Sequence, residues 1–312
     1  MAFPIEYEHA EPSQFGGALP DARAFDDSAA VILPLPFERT TSYVNGTRNG
    51  PRELLVASAQ VELWDEELGV DVHDRGMFTL PEMDLSCASI EAAMAHIRRV
   101  TGEILDRGKF LVTLGGEHSI TTPIVSAAAG RHPGLSVLQI DAHADLRDSY
   151  LAERHSHACA MRRTIEFAPL VQVGIRNISA EEVDALPGLD TTIFYDWNMR
   201  DDPNWIARAV GALSDTVYIT IDLDGLDPAT MPAVGTPEPG GLSWRELMGL
   251  LRRTFEKKTV VACDVVELCP IPGVAAPPFI AAKLVYKLLT YRLGLPNLRQ
   301  KAQSTRQKSG TN

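Results

Sequence analysis

Short apolar runs alternate with segments of helical spacing over most of this chain. Runs at 30–35, 110–114, 135–140, 170–175, 192–195, 217–222 and 260–267 have the length and branched-aliphatic content of buried strands. Between them, Ile90, Ala93, Met94, Ile97, Thr101, Ile104 and Leu105 trace one face of a helix, and Gly108 follows where a C-terminal cap belongs. Ser243-Trp244-Arg245-Glu246 and Ser179-Ala180-Glu181-Glu182 read as capping boxes, the first ahead of an inward face of Leu247, Leu250 and Leu251. Pro51 after Gly50 suits the first turn of another helix. A late helix over roughly 278–293 presents Ile280, Leu284, Val285 and Leu288.

This repetition of strand, helix and strand predicts an α/β fold. The expected architecture is a three-layer α/β/α arrangement with a mainly parallel central sheet covered on both faces. With 312 residues the chain can bury a substantial core. No linker rich in proline, glycine or serine divides it, so residues 26–296 are read as one domain. Residues 1–25 are expected to form an arm. The polar, basic segment 297–312 is expected to be a disordered tail.

Composition narrows the partners. Hydrophobic content of 45% with 22% charged residues is ordinary for a soluble globular protein. A net charge of −12 argues against nucleic acid and anionic membrane as partners and fits a small cationic substrate, although solubility alone would account for it and is the commoner cause. Cys87, Cys159, Cys263 and Cys269 show no C-x-x-C pairing, and three of them lie in or beside apolar runs as reduced, buried small hydrophobes. The first residues lack the features of a signal peptide and polar residues interrupt every apolar run. A cytoplasmic location without a membrane span is therefore expected.

The candidate chemistry sits where strands end. Asp141-Ala142-His143-Ala144-Asp145 follows the run 135–140, Asp222 and Asp224 close the run 217–222, Gly115-Gly116-Glu117-His118-Ser119 follows 110–114, and Glu267 ends the last run. In extended backbone alternate side chains face one side, so Asp141, His143 and Asp145 would converge if strand geometry persisted. In open α/β sheets ligands gather at the carboxyl ends of strands. A lone histidine such as His118 is usually structural, but five of the eight histidines (His118, His132, His143, His155 and His157) lie in one short stretch with the aspartates. His132, before Pro133, reads as a bystander, and Asp227-Pro228 as a turn. Carboxylates buried together repel and need a cation. An oxygen-rich set with some imidazole suits Mn²⁺, and two ions about 3.5–4 Å apart are the usual arrangement for activating a shared water.

Gly-Gly-Glu-His-Ser, Asp-Ala-His-Ala-Asp, the run from Ile221 to Pro228 and Gly235-Thr236-Pro237-Glu238-Pro239-Gly240-Gly241 together resemble the ureohydrolases, the arginase, agmatinase and formiminoglutamase enzymes with a binuclear manganese centre. The resemblance covers about residues 30–293. The segment from Thr40 to Arg52, Asp145-Leu146-Arg147-Asp148, Ser156-His157-Ala158 and Met161-Arg162-Arg163 look like the agmatinase branch. It implies an arginase-like fold, so that 26–296 would be a ureohydrolase catalytic domain holding two Mn²⁺ per subunit. His118 and Asp145 would hold one ion, His143 and Asp224 the other, with Asp141 and Asp222 bridging. Glu267 would bind the guanidinium, His157 would handle protons, Asp145 would pass one to the leaving nitrogen, and Thr236 would shape the pocket. His155 is a nearby rival of His157, disfavoured by its context. Ala158 and Cys269 stand where relatives often have glycine and asparagine.

The implied reaction is cleavage of a guanidino group to urea and an amine, with a hydroxide shared by the ions attacking the carbon held by Glu267. Agmatine, giving putrescine in polyamine biosynthesis, is the expected substrate. Guanidinobutyrate, other guanidino acids, aminopropylagmatine and arginine are close rivals, and formiminoglutamate ranks lower. A metal-binding relative without turnover and a zinc deacetylase on a similar fold are the other classes weighed. The second Asp-x-Asp pair argues against the deacetylase. The family resemblance also implies a homo-oligomer, a trimer or hexamer.

Overall fold

The computed structural model describes Tyr7, residues 14–17 and residues 25–309. Its strands are β1 (Ala30–Leu35), β2 (Trp64–Asp65), β3 (Val70–Asp71), β4 (Met77–Thr79), β5 (Phe110–Gly115), β6 (Leu135–Ile140), β7 (Leu170–Ile175), β8 (Thr191–Tyr195), β9 (Thr216–Asp222) and β10 (Thr259–Val266). Its α-helices are α1 (Gly50–Ser58), α2 (Ile90–Asp106), α3 (Thr121–Ala129), α4 (Ala160–Thr164), α5 (Ala180–Ala185), α6 (Asp196–Met199), α7 (Trp205–Ala212), α8 (Trp244–Lys257) and α9 (Ala276–Ser309). Eight strands form one sheet in the order β4-β1-β5-β10-β9-β6-β7-β8, every neighbouring pair parallel. β2 and β3 make a separate antiparallel pair.

Strand side chains alternate between two buried layers. Ile32, Val112, Leu138, Val171, Ile219 and Val265 face one core with Leu54 of α1, Val210 of α7, Leu250 of α8 and Leu284 of α9. Val31, Leu33, Leu111, Val137, Leu170 and Ala262 face the other with Ile97 of α2, Ile124 of α3 and Met161 of α4. Strands covered on both sides have no polar face to show, which is why they read as continuous apolar runs. Each fully buried leucine or isoleucine contributes about 1.5–3 kcal/mol of transfer free energy. Three layers result, as expected.

The capping boxes at Ser179 and Ser243 both form, and Ser89 caps α2 by accepting from the Ala92 amide. Five elements differ from the sequence pattern. β2, β3 and β4 are too short to carry one, and α3 is apolar almost all round, leaving no period to detect. α9 runs to Ser309 rather than ending near 293, so helical backbone enters the segment expected as a disordered tail. Arginine, lysine, glutamine and alanine dominate that stretch, and all are good helix formers. In the arm, Phe15 is buried and its amide donates to Thr79 Oγ1 at 3.0 Å, while the rest of 1–24 except Tyr7 and 14–17 lies outside the described residues. No helix among the described residues is long and apolar enough to cross a membrane. Cys159, Cys263 and Cys269 are buried thiols.

Candidate metal centre

The four central strands, β5-β10-β9-β6, are consecutive neighbours, and their carboxyl ends carry the motif residues. His118 follows β5, Glu267 follows β10, Asp222 ends β9 with Asp224 two residues on, and Asp141, His143 and Asp145 follow β6. Sheet order therefore gathers groups that the sequence holds up to 149 positions apart. All of them but Asp141 line a cavity of about 180 Å³ with Ser42, Arg147, Tyr150, His157, Asn177 and Thr236.

Two donor sets share Asp141: His118 with Asp141 and Asp145, and Asp141 with His143 and Asp224. The donor atoms within each set lie within 4.8 Å of one another. His118 Nδ1 stands 3.0 Å from Asp141, 3.2 Å from Asp145 and 3.4 Å from Asp222. His143 Nδ1 stands 2.9 Å from Asp224 and 3.6 Å from Asp141. The extended backbone of β6 does not continue through this motif. The strand ends at Ile140, and Asp145 adopts a left-handed backbone, φ 53°, so a turn rather than a continued strand aims its carboxylate inward. Glu267 is likewise left-handed, φ 65°, and its Oε1 accepts the His118 amide at 2.7 Å.

A second set of buried groups, absent from the sequence reading, fixes the first. Thr121 Oγ1 (2.9 Å), Tyr218 OH (2.6 Å) and Thr220 Oγ1 (2.6 Å) all donate to Asp264. Thr220 has then used its only proton, so at 2.9 Å it accepts from His118 Nε2–H. In the neutral ring that tautomer leaves a lone pair on the buried Nδ1. Burial disfavours a charged imidazole, but without a cation Asp141, Asp145 and Asp222 around it overcome burial and raise it well above its usual value, drawing a proton there instead. Asp141 is held separately. Gln139 Nε2 donates to its Oδ2 at 2.7 Å, Gln172 Nε2 donates to Gln139, and Thr191 Oγ1 donates to Gln172 at 2.8 Å, a polar ladder across β6, β7 and β8. The one available signal was a polar residue inside an otherwise apolar strand: Gln139, Gln172, Thr220 and Asp264 all qualify.

Titration reflects the crowding. Burial and the Asp141 charge push the Asp145 carboxyl up to about 7, and burial with Asp224 and Asp141 raises Asp222 well above the usual range. Burial would raise Asp141 too, but His118 and His143 overcome it and hold that carboxyl low. Burial opposes protonation of His143, yet Asp224 and Asp141 push it up to about 12. Converging carboxylates that draw protons onto two buried or half-buried histidines lack positive charge, and an oxygen-rich set with two imidazoles sharing one aspartate fits a pair of divalent cations. The donor set passes that test.

His157, not His155, lines the cavity. The His155 amide instead donates to Glu153 at 2.7 Å in a local turn. Burial, then the charges on His143 and His118, lowers His157 to about 4, so it is neutral near pH 7. Asp227 forms the turn expected of it, its Oδ1 accepting the Ala229 amide at 2.8 Å. His132 is not among the cavity-lining residues.

The sequence profile described as Arginase family matches residues 28–290. The chain is 43% identical over 276 residues to the N(1)-aminopropylagmatine ureohydrolase of Synechocystis sp., covering 86% of this chain and 90% of that one. It is 30% identical over 271 residues to the agmatinase of Bacillus anthracis, covering 85% and 92%. The solved agmatine ureohydrolase of Thermoplasma volcanium superposes with a TM-score of 0.79 at 30% identity, covering 88% of this chain and 93% of that one.

Proposed function

This chain belongs to the arginase family, and on that premise we propose that it hydrolyses N(1)-aminopropylagmatine to urea and spermidine. It is a ureohydrolase, a hydrolase acting on guanidino carbon–nitrogen bonds. The observation that carries the substrate is the 43% identity to an aminopropylagmatine ureohydrolase against 30% to an agmatinase. Agmatine, the sequence-based expectation, stands as the second reading, supported by the 30% identity to a solved agmatine ureohydrolase. Both are linear cations, differing in how far the chain extends beyond the guanidine.

His118, Asp141, His143, Asp145, Asp222 and Asp224 would hold two divalent ions, with Mn²⁺ favoured by the oxygen-rich donors. When bound, such a pair would make water acidic enough to yield hydroxide near neutral pH and would stabilise the negative charge that oxygen carries. Glu267 orients the substrate. Its carboxylate, pinned through Oε1 by the His118 amide, pairs with the planar guanidinium and turns the carbon toward the aspartate cluster. Holding both reactants this way converts attack into an oriented, effectively unimolecular step. Asp145 shuttles a proton toward the departing nitrogen, and neutral His157 exchanges protons between pocket and solvent. Thr236 closes one wall. At the rim Asn177 Nδ2 donates to the Glu238 carboxylate, which offers a partner to the distal ammonium of a long polyamine chain.

The test is urea release by Mn²⁺-loaded protein from aminopropylagmatine, agmatine, arginine and guanidinobutyrate in parallel. A kcat/KM highest for aminopropylagmatine and abolished in Glu267→Gln supports the reading. A preference for agmatine selects the second reading, and urea from neither overturns both.

A further inference from the structure

Glu117 is a fully buried carboxylate beside the cavity that the proposed chemistry leaves unused. Its Oε2 accepts the backbone amides of Arg39 at 2.6 Å and Thr40 at 2.7 Å. Its Oε1 accepts the hydroxyls of Thr40 at 2.7 Å and Ser119 at 2.6 Å. Two fixed amides and two hydroxyls fill the four acceptor positions of a carboxylate. Burial on this scale is tolerated because every acceptor is satisfied.

Thr40 links Glu117 to His157. Its single hydroxyl proton is committed to Glu117, so its oxygen has only lone pairs left to offer. One accepts the backbone amide of His157 at 2.9 Å. The other faces His157 Nδ1 at 3.3 Å, where only an Nδ1–H can satisfy it; the Ser156 hydroxyl, also 3.3 Å from Nδ1, keeps lone pairs with which to share that N–H. The opposite ring nitrogen, Nε2, lies 3.3 Å from the hydroxyl of Ser42, a residue that with His157 lines the cavity. Tyr150 packs edge-on against the ring, centroids 6.0 Å apart, which holds its plane.

We propose that Thr40, anchored by the buried carboxylate of Glu117, is a positioning residue that locks His157 in the Nδ1–H tautomer and presents Nε2 to the cavity as the proton acceptor. The chain of bonds runs from Glu117 through Thr40 to His157, a carboxylate–hydroxyl–imidazole relay of orientation in which no proton need move along the chain. It explains why His157 serves and His155, two residues earlier, does not: the latter has no hydroxyl anchor among its described contacts. The inference builds on the hydrolase reading for its consequence, not for its structural content.

The two are tested separately. Full-length protein loaded with a diamagnetic divalent ion is labelled with ¹⁵N-histidine, and the His157 resonances are assigned by their loss in His157→Asn. The expected spectrum shows a protonated, pyrrole-like Nδ1 and a pyridine-like Nε2 in the unsubstituted protein. Thr40→Val is expected to shift His157 toward a mixture of tautomers, and Thr40→Ser to restore the single form. In urea-release assays Thr40→Val should lose about tenfold or more in kcat with KM within about twofold, and Thr40→Ser should recover most of it. A proton on Nε2 in the unsubstituted protein, or a tautomer unchanged by Thr40→Val, overturns the proposal whatever the activity. Absence of urea release with the predicted spectra would instead count against the hydrolase reading alone.

Discussion

Replacing Asp264 by asparagine tests whether groups that never touch a metal decide how tightly one is held. Asp264 is fully buried and receives three hydroxyl donors, from Thr121, Tyr218 and Thr220. Asparagine has one acceptor oxygen and an amide that donates, so at least one hydroxyl must turn round. If that hydroxyl is Thr220, its proton points at His118 Nε2, the ring moves its own proton to Nδ1, and the lone pair facing Asp141 and Asp145 is lost. Disturbing a partner behind a metal-binding histidine typically weakens the metal about 10- to 100-fold, which is about 1.4–2.8 kcal/mol. The mismatch inside the fold costs a further 1–3 kcal/mol or so in the metal-free protein. Calorimetric titration with Mn²⁺ measures the first quantity, and urea unfolding of the metal-free protein measures the second. Thr121→Val is the control, because it removes one donor to Asp264 while leaving the Thr220 to His118 bond in place. The expected pattern is lowered stability in both variants but markedly weakened metal only in Asp264→Asn. Equal metal affinity in both, within twofold, would refute the argument that orientation passes from Asp264 through Thr220 to His118.

Three other outcomes follow from the same structure. Glu238→Gln should raise KM for aminopropylagmatine about two- to fivefold, the worth of a partly exposed ion pair, and leave KM for a short guanidine nearly unchanged, as steady-state kinetics on both substrates would show. Glu67 is buried only in part, but hydrogen bonds from Lys287, Tyr291 and Arg252 outweigh that burial and lower its carboxyl to about 2. Because the folded value is depressed, its stabilisation is present above the unfolded value of about 4.5 and fades as pH falls toward 2, so the deficit of Glu67→Gln in urea unfolding, about 1 kcal/mol at pH 7 after solvent screening, should shrink below pH 4. Gly116→Ala would set a Cβ 2.0 Å from the Phe37 carbonyl oxygen, forcing apart the loop that carries Glu117 and His118. It should cost about 1–3 kcal/mol or more in thermal unfolding, and unaltered Mn²⁺ binding would show the loop to be more yielding than its packing implies.

Much of this protein is local information, and local information is legible in a linear chain. Strand runs, capping boxes and the motif residues His118, Asp141, His143, Asp145, Asp222 and Asp224 each declare themselves through nearest neighbours, because burial on both faces, helix termini and side-chain chemistry act over a few positions. What the chain alone could not decide is adjacency. Only the strand order β5-β10-β9-β6 brings His118 to within 3.4 Å of Asp222 and sets Glu267 against the His118 amide. Asp145 and Glu267 reach the cavity from left-handed turns, which the apolar runs before them do not announce. Asp264, Thr220 and Gln139 carried no role of their own in the sequence, and Glu117 stood only as part of its motif, until the fold supplied their hydrogen-bond partners. A hydrogen bond needs its partner within about 3 Å, and for these residues the partner arrives from a distant strand or loop.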